Sequence, residues 1–345
     1  MTNARSLSDP PPGSAAFEPA ATSVARRLGD LRLGRFSGVY LLLVFIAIFA
    51  VWIPHTFLTT TTAQTIGDEQ AITVILALGV IISMSAGQFD LSIAQNLGLG
   101  AAVCIKLLTS AHLPAGAAVF ATVAACGACG LVNAGLVVIV GLDSFIATLG
   151  TSSVLLALTE MLTHDNFVGP TSGGFSTFVS WKPLGIPILV VYALLVAVVV
   201  WYVLEHTPVG RRIYATGANP DTARLSGIPT RRYIAGSLIA TGLIAGLAAV
   251  LLAAKLGTVS PDVGPPYLLP SFAAVFLSAT QLKPGRFNVW GMVLAIVLLA
   301  TGVKGLVLAG GALWITDLFN GVALLTAVGL AVMFQRRRVR SATRA

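Results

Sequence analysis

The sequence predicts an all-α, polytopic integral membrane protein of about ten transmembrane helices, and three observations carry that prediction. Of 345 residues, 56% are hydrophobic and only 10% are charged, a balance that excludes a soluble globular domain. The apolar residues gather into ten runs at 38–53, 71–86, 92–110, 115–140, 145–162, 186–204, 233–254, 267–281, 288–308 and 313–334. About 20 apolar residues suffice to cross ~30 Å of hydrocarbon as a helix. The runs are continuous, without the alternation of a barrel strand. Third, threading ten spans from a cytoplasmic N-terminus places all 21 Lys and Arg on the inner side except Lys106, Lys182, Lys255 and Lys304. Such asymmetry is what the positive-inside rule requires, and it puts both termini in the cytoplasm. The net charge of +8 is therefore an orientation signal, and no nucleic-acid partner is expected.

Residues 1–34, rich in Pro, Ala and Ser and containing Pro10-Pro11-Pro12, are expected to form a disordered cytoplasmic tail. The first apolar run begins only after Arg32 and Arg35, so no signal peptide is expected. The membrane-embedded region then occupies 35–335, and 336–345 is a basic cytoplasmic tail. Thr59–Thr62 reads as an outer loop ending near Asp68 and Glu69. The second run offers about 16 residues, roughly 24 Å of helix. Its junction with the third, Ser85-Ala-Gly-Gln-Phe-Asp-Leu-Ser92, is therefore expected below the inner surface. There Asp90 either caps the next helix or projects into a polar cavity, an acid at membrane depth being usually functional.

The fourth and fifth spans carry Asn133 between small residues, and Asp143-Ser-Phe-Ile-Ala-Thr-Leu-Gly-Thr151. Small residues let helices approach, and Asn133 and Thr148 can bond across the contact. Helix association is the favoured reading, and lining of a pathway is the other. Asp90, Ser92, Asn133, Phe145 and Thr148 are the candidate pathway residues. Cys126-Gly-Ala-Cys129 has the spacing of a redox or metal pair, but its small flanking residues favour packing. The four histidines show no metal-ligand spacing. The outer segment 164–185, with Phe167, Phe175, Phe178 and Trp181, reads as an interfacial aromatic belt or a docking surface.

Between the sixth and seventh spans lies a polar loop, 205–232, with five arginines: Arg211, Arg212, Arg224, Arg231 and Arg232. It encodes a miniature helix. Asn219 is a good N-cap, Pro220 suits the first helical position, and Asp221 complements the helix dipole. Ala223, Arg224, Leu225 and Ser226 continue the turn. Gly227 supplies a left-handed C-terminal cap and Pro229 prevents continuation. Two turns, roughly 10 Å long, are marginal alone in water. The segment is either a solvated connection or a docking helix that takes force from a cytoplasmic partner.

The ninth and tenth spans are joined by Ala309-Gly-Gly-Ala312. Lys304 and Asp317 lie at similar distances from that turn, so an antiparallel hairpin sets them at similar depth, where they are expected to pair. There is no G-x-x-x-x-G-K-[ST] phosphate loop, no H-E-x-x-H and no G-x-S-x-G elbow. No cofactor is expected on this chain. A polytopic chain without catalytic motifs is more apt to move a solute than to transform it, and any ATPase must be another polypeptide.

Over roughly 70–335 the chain resembles the permease subunit of ribose-type ABC importers, in a fold family shared with branched-chain amino-acid permeases. The resemblance is carried by Ala86-Gly-Gln-Phe-Asp-Leu-Ser-Ile93, Gly130-Leu-Val-Asn-Ala-Gly135, Ser144-Phe-Ile-Ala-Thr-Leu-Gly-Thr151 and Gly210-Arg-Arg-Ile-Tyr-Ala-Thr-Gly-Ala-Asn219. Ala223-Arg-Leu-Ser-Gly-Ile228, Gly242-Leu-Ile-Ala-Gly-Leu-Ala248 and Ser271-Phe-Ala-Ala-Val-Phe-Leu277 add to it. It implies that Gly217 and Asn219–Gly227 form a coupling helix that enters a cleft of an ATPase subunit, which would hold the ATP and Mg. It also implies an extracytoplasmic solute-binding protein, a second permease copy (identical or paralogous) and inward sugar transport across a bacterial inner membrane. Relatives carrying an amino acid, nucleoside or signalling molecule are the alternative within the family. A stand-alone secondary transporter is the alternative outside it; that would predict repeats with broken helices and ionisable residues near the midplane, of which only Asp90, Lys304 and Asp317 qualify and none is duplicated. The chain departs from the family at Ser278-Ala-Thr280, where Gly-Gly is usual, and at Lys304, where asparagine is common.

Overall fold

The computed structural model describes residues 36–171, 173–312 and 314–342. The expected tail at 1–34 lies outside them. Among the described residues the fold is all-helical, its one extended contact being the isolated bridge Val168–Val259. The α-helices of six residues or more are α1 (Ser37–Trp52), α2 (Thr60–Ser85), α3 (Ile93–Thr109), α4 (Ala115–Gly135), α5 (Ser144–Thr163), α6 (Gly173–Ser180) and α7 (Ile188–His206). They continue as α8 (Pro208–Ala218), α9 (Pro220–Leu225), α10 (Thr230–Leu256), α11 (Leu268–Ser278), α12 (Val289–Leu308) and α13 (Trp314–Ala342). A π-helical turn, Leu136–Val140, prolongs α4.

Helices α2 and α10 are the centre of the molecule. Residues 71–85 of α2 are all buried, because that run is apolar around its whole circumference and has no face to offer water. Helix α10 lies against α2, α3 and α4, while α11 packs on α2, α12 and α13. The α4–α10 contact is nearly backbone to backbone. A Cβ on Gly242 would stand 2.5 Å from the Cys126 carbonyl oxygen and 3.0 Å from Gly130 Cα. Glycine at both positions lets the helices close to that range. Cys126 sits in this packing, and both Cys126 and Cys129 are free thiols, the first buried and the second partly so.

Six helices are long and apolar enough to cross a membrane: α2, α4 with its π-helical turn, α5, α7, α10 and α12; α1, α3 and Trp314–Gly329 of α13 are apolar but shorter. The molecule is thus multi-pass. Three sequence expectations change. The second run is not a 16-residue span with an outer loop before it: Thr59 caps α2, accepting from Thr62 N at 3.1 Å, and the helix extends for 26 residues. Asp68 and Glu69 fall inside it because lysines of α10 and α12 neutralise them, which periodicity alone does not reveal. The run 267–281 becomes an 11-residue helix, ~16 Å at 1.5 Å per residue, too short to cross alone. Backbone of α13 continues through Ala342, so most of the expected tail at 336–345 is helical. In the segment 164–185, Phe175 is core at 4% exposure whereas Phe167 and Trp181 remain open at 77% and 66%.

Candidate functional site

Helix α9 forms as its sequence specifies. Asn219 Oδ1 accepts from Asp221 N at 3.1 Å and Thr222 N at 3.0 Å, satisfying two of the amides that a helix start leaves open. Gly227 closes the other end with φ of +80°. There Ile228 N donates to Ala223 O and Gly227 N to Arg224 O, each at 3.0 Å, the paired bonds of a Schellman cap. Ala223 alone of the helix is buried, and Asp221, Arg224, Leu225, Ser226 and Gly227 face outward. Leu225 is 88% exposed. A leucine held that far out on a helix whose ends are both capped is a preformed apolar knob.

Behind α9 lies α8, seated on a base of aromatic and charged groups. Tyr214 OH donates to Phe287 O at 2.9 Å; burial lifts the phenol above its ordinary range, so it stays protonated and able to donate. Arg286 stacks over the same ring, 3.7 Å from its centroid. Arg212 donates to Tyr233 OH at 2.9 Å, and Glu205 pairs with Lys283. Several basic groups of this face thus brace the helices around α8.

Gly217, at the end of α8, touches the α2–α3 junction. A methyl group there would collide with the Ser85 carbonyl and stand 2.8 Å from Gly87 N. The contact joins the exposed helix to the junction with no side chain between them, and the glycine at each partner permits it. Sequence reading named Gly217 but not Gly87; the signal available was a glycine directly after the end of an apolar run.

Four of the five candidate pathway residues meet at that junction in a buried network. Asp90 Oδ1 accepts from Ser92 Oγ at 2.6 Å and Ser92 N at 3.1 Å. Asn133 Nδ2 donates to Ser92 Oγ at 2.7 Å. Thr148 Oγ1 accepts from Leu91 N at 3.1 Å and donates to Ser144 O at 2.8 Å, while Ser144 Oγ accepts from Phe89 N at 3.1 Å. The junction's backbone amides at Phe89 and Leu91 are thereby satisfied from α5, while α4 reaches its Ser92 hydroxyl. Phe145 lies outside this network, 49% exposed, with its ring edge-on to Phe89 at 6.4 Å.

The expected Lys304–Asp317 pair is not formed. Lys304 Nζ stands 2.9 Å from Glu69 Oε1 and 3.2 Å from Oε2, and Asp317 makes no ion pair among the described residues. The hairpin argument considered only the two helices joined by the turn; α2 packs beside α12 and supplies a nearer carboxylate. Asp317 instead lines a cavity of about 250 Å³ between α2, the start of α11, α12 and α13. Among the described residues no group of His, Cys, Asp or Glu could hold a metal ion.

Comparison with known proteins adds what geometry cannot. Residues 69–334 match the model of a family described as branched-chain amino acid transport system / permease component. The chain is 31% identical over 272 residues to the D-allose transport system permease protein AlsC of Escherichia coli K12, covering 79% of this chain and 83% of that protein. It is 29% identical over 273 residues to the autoinducer 2 import system permease protein LsrD of Escherichia coli O9:H4, covering 77% and 82%. No solved structure matches significantly.

Proposed function

This chain belongs to the family of branched-chain amino acid transport system permease components, and from that premise we infer that it is the membrane-spanning subunit of an ATP-driven sugar importer. Its substrate class is taken from the relative named for D-allose; a non-sugar solute is the second reading, favoured by the relative named for autoinducer 2. The arrangement has about ten membrane segments, one of them the short α11 that cannot cross alone, with both termini in the cytoplasm of a bacterial inner membrane. Two permease copies, identical or paralogous, flank the pathway, an extracytoplasmic binding protein delivers the solute, and a partner ATPase holds the ATP and Mg.

The observation that carries this reading is the capped, outward-facing helix α9 and its direct line to the α2–α3 junction. When an ATPase pair closes on nucleotide, it moves whatever sits in its clefts. Motion of α9 passes to α8, from Gly217 to the backbone at Gly87, and on to the Asp90–Ser92–Asn133–Thr148 network. That network is a rigid hydrogen-bonded unit, so it swings α3, α4 and α5 together. Asp90, Ser92, Asn133 and Thr148 then act as the hinge block of the pathway wall, with Phe145 and Phe89 on its open side.

The test is co-purification and transport. Leu225→Asp should reduce capture of the ATPase by about tenfold or more, the loss of an apolar anchor at an interface centre, while the chain still inserts and folds. Full ATPase capture and full transport in that variant would overturn the docking role. Solute accumulation by the purified chain alone, in sealed vesicles without ATP, would instead favour a secondary transporter.

A further inference from the structure

The α2–α3 junction has a counterpart in the second half of the chain, between α11 and α12. Gly87-Gln-Phe-Asp-Leu91 is answered by Gly285-Arg-Phe-Asn-Val289, and the backbone repeats what the sequence only hints at. Gly87 and Gly285 take φ of +77° and +84°, a left-handed turn that glycine adopts freely. Asp90 and Asn288 are each 2% exposed. Asp90 Oδ1 accepts from Ser92 N at 3.1 Å, and Asn288 Oδ1 from Gly291 N at 2.7 Å. Each side chain thus fixes the start of the helix that follows. In the last turn of the helix before, Ser83 Oγ donates to Val80 O at 3.0 Å and Ser278 Oγ to Val275 O at 2.6 Å. The second junction differs in being three residues longer between that serine and the glycine.

Helix α8 reaches both junctions. Gly217 meets the first at the Ser85 carbonyl and at Gly87. Tyr214 lies one turn earlier on the same face and donates to Phe287 O of the second at 2.9 Å, with Arg286 stacked on its ring. That carbonyl belongs to the residue directly before the cap of α12, so a shift there tilts the helix from its first turn. A brace would be served by any packed side chain, whereas this bond is made to the main chain at the turning point itself. The junctions are also joined to each other. Phe276 of α11 stands 6.4 Å from Phe89 and 6.1 Å from Phe287, ring to ring, within the range of aromatic pairing.

We propose that residues 279–288 form a second hinge, built like the α2–α3 junction, and that Tyr214 is the positioning residue through which α8 moves it. One displacement of α8 then shifts two parts of the wall: α3 with α4 and α5 through Gly217, and α11 with α12 through Tyr214. The packed rings of Phe89, Phe276 and Phe287 keep the two in step, because close-packed groups transmit a displacement with little give. The proposal rests on the importer reading, in which α9 receives the force, and adds a second output for it.

The test uses the importer assembled with its ATPase in lipid nanodiscs, and amide hydrogen exchange read by mass spectrometry. Exchange is compared between the nucleotide-free complex and the complex trapped with ATP and vanadate. In wild type, trapping should change the exchange of both 86–92 and 282–288. Tyr214→Phe removes only the hydroxyl. In that variant the change at 86–92 should persist, while the change at 282–288 should shrink by about threefold or more, the scale of one lost hydrogen bond. Tyr202→Phe, at a 58%-exposed tyrosine of α7, should leave both changes as they are. Basal ATP hydrolysis should stay within about twofold of wild type in both variants, which shows that the complex is assembled. A merely structural brace gives a different result: Tyr214→Phe would speed exchange at 282–288 equally in both states and leave the nucleotide-dependent change at full size. That outcome, or a wild type in which only 86–92 responds, would overturn the second hinge and leave the coupling role of α9 standing. If neither segment responds to trapping, the coupling route from α9 falls and the second hinge falls with it.

Discussion

Asn219 shows how much one side chain can decide. Its oxygen serves two amides of a six-residue helix, and a helix so short has little cooperative reserve. Asn219→Ala should cost about 1 kcal/mol of local stability, faster amide exchange through 221–225 being the readout. Unchanged exchange would mean that the neighbours, and not the cap, hold α9. Lys304 teaches a different lesson. Its partner is Glu69, and because that carboxylate is 49% exposed, solvent screening limits the pair to at most about 1 kcal/mol. Glu69→Gln should therefore weaken the effect of a second change, Lys304→Met, in a double-mutant cycle read by thermal unfolding. Asp317→Asn should leave the Lys304→Met effect as it was. A coupling to Asp317 in place of Glu69 would restore the hairpin pair and contradict the geometry.

Among the elements, the tight pair is α4 with α10. The two backbones meet at Gly130 and Gly242, where added methyl groups would stand 2.6 Å from Leu238 O and 2.5 Å from Cys126 O. Nothing at that contact is the flexible end of a side chain, so a larger residue must push the helices apart. Gly242→Val should destabilise the fold by about 1–3 kcal/mol, visible as a lower unfolding temperature in detergent. Gly236→Ala, in the same helix but with open space around it, should be tolerated. The junction between α2 and α3 depends on elements rather than on its own sequence. Its backbone amides at Phe89 and Leu91 are satisfied from α5, and its Ser92 hydroxyl from α4. Thr148→Val would remove a donor and an acceptor together and should loosen the α2–α3 connection more than the α9 cap.

For the whole molecule, the orientation is the central expectation, and it is accessible to chemistry. A thiol introduced by Leu225→Cys sits at a position 88% exposed in the isolated chain. A membrane-impermeant reagent should reach it only from the cytoplasmic side, in inverted vesicles and not in right-side-out ones, and the ATPase subunit should protect it. Labelling from the outer side would reverse the topology on which the transport direction rests.

Composition and periodicity were enough to declare an all-helical membrane chain, because twenty apolar residues in succession have few other stable fates. The α9 helix was equally legible, both caps included, since capping is local chemistry between residues two to five apart. Length went astray where a distant partner intervened. Asp68 and Glu69 read as loop residues because the lysines that neutralise them lie 187 and 235 positions away. For the same reason sequence gave Asp317 to Lys304: two residues flanking one turn are easily paired on paper, while a third helix beside them is invisible until the chain is packed. The contact of Gly217 with Gly87, the network that joins Asp90 to Asn133, and the cavity at Asp317 all bring together residues from separate helices. Local patterns fix which segments become helices; only their assembly decides which polar groups find partners and which are left facing an open space.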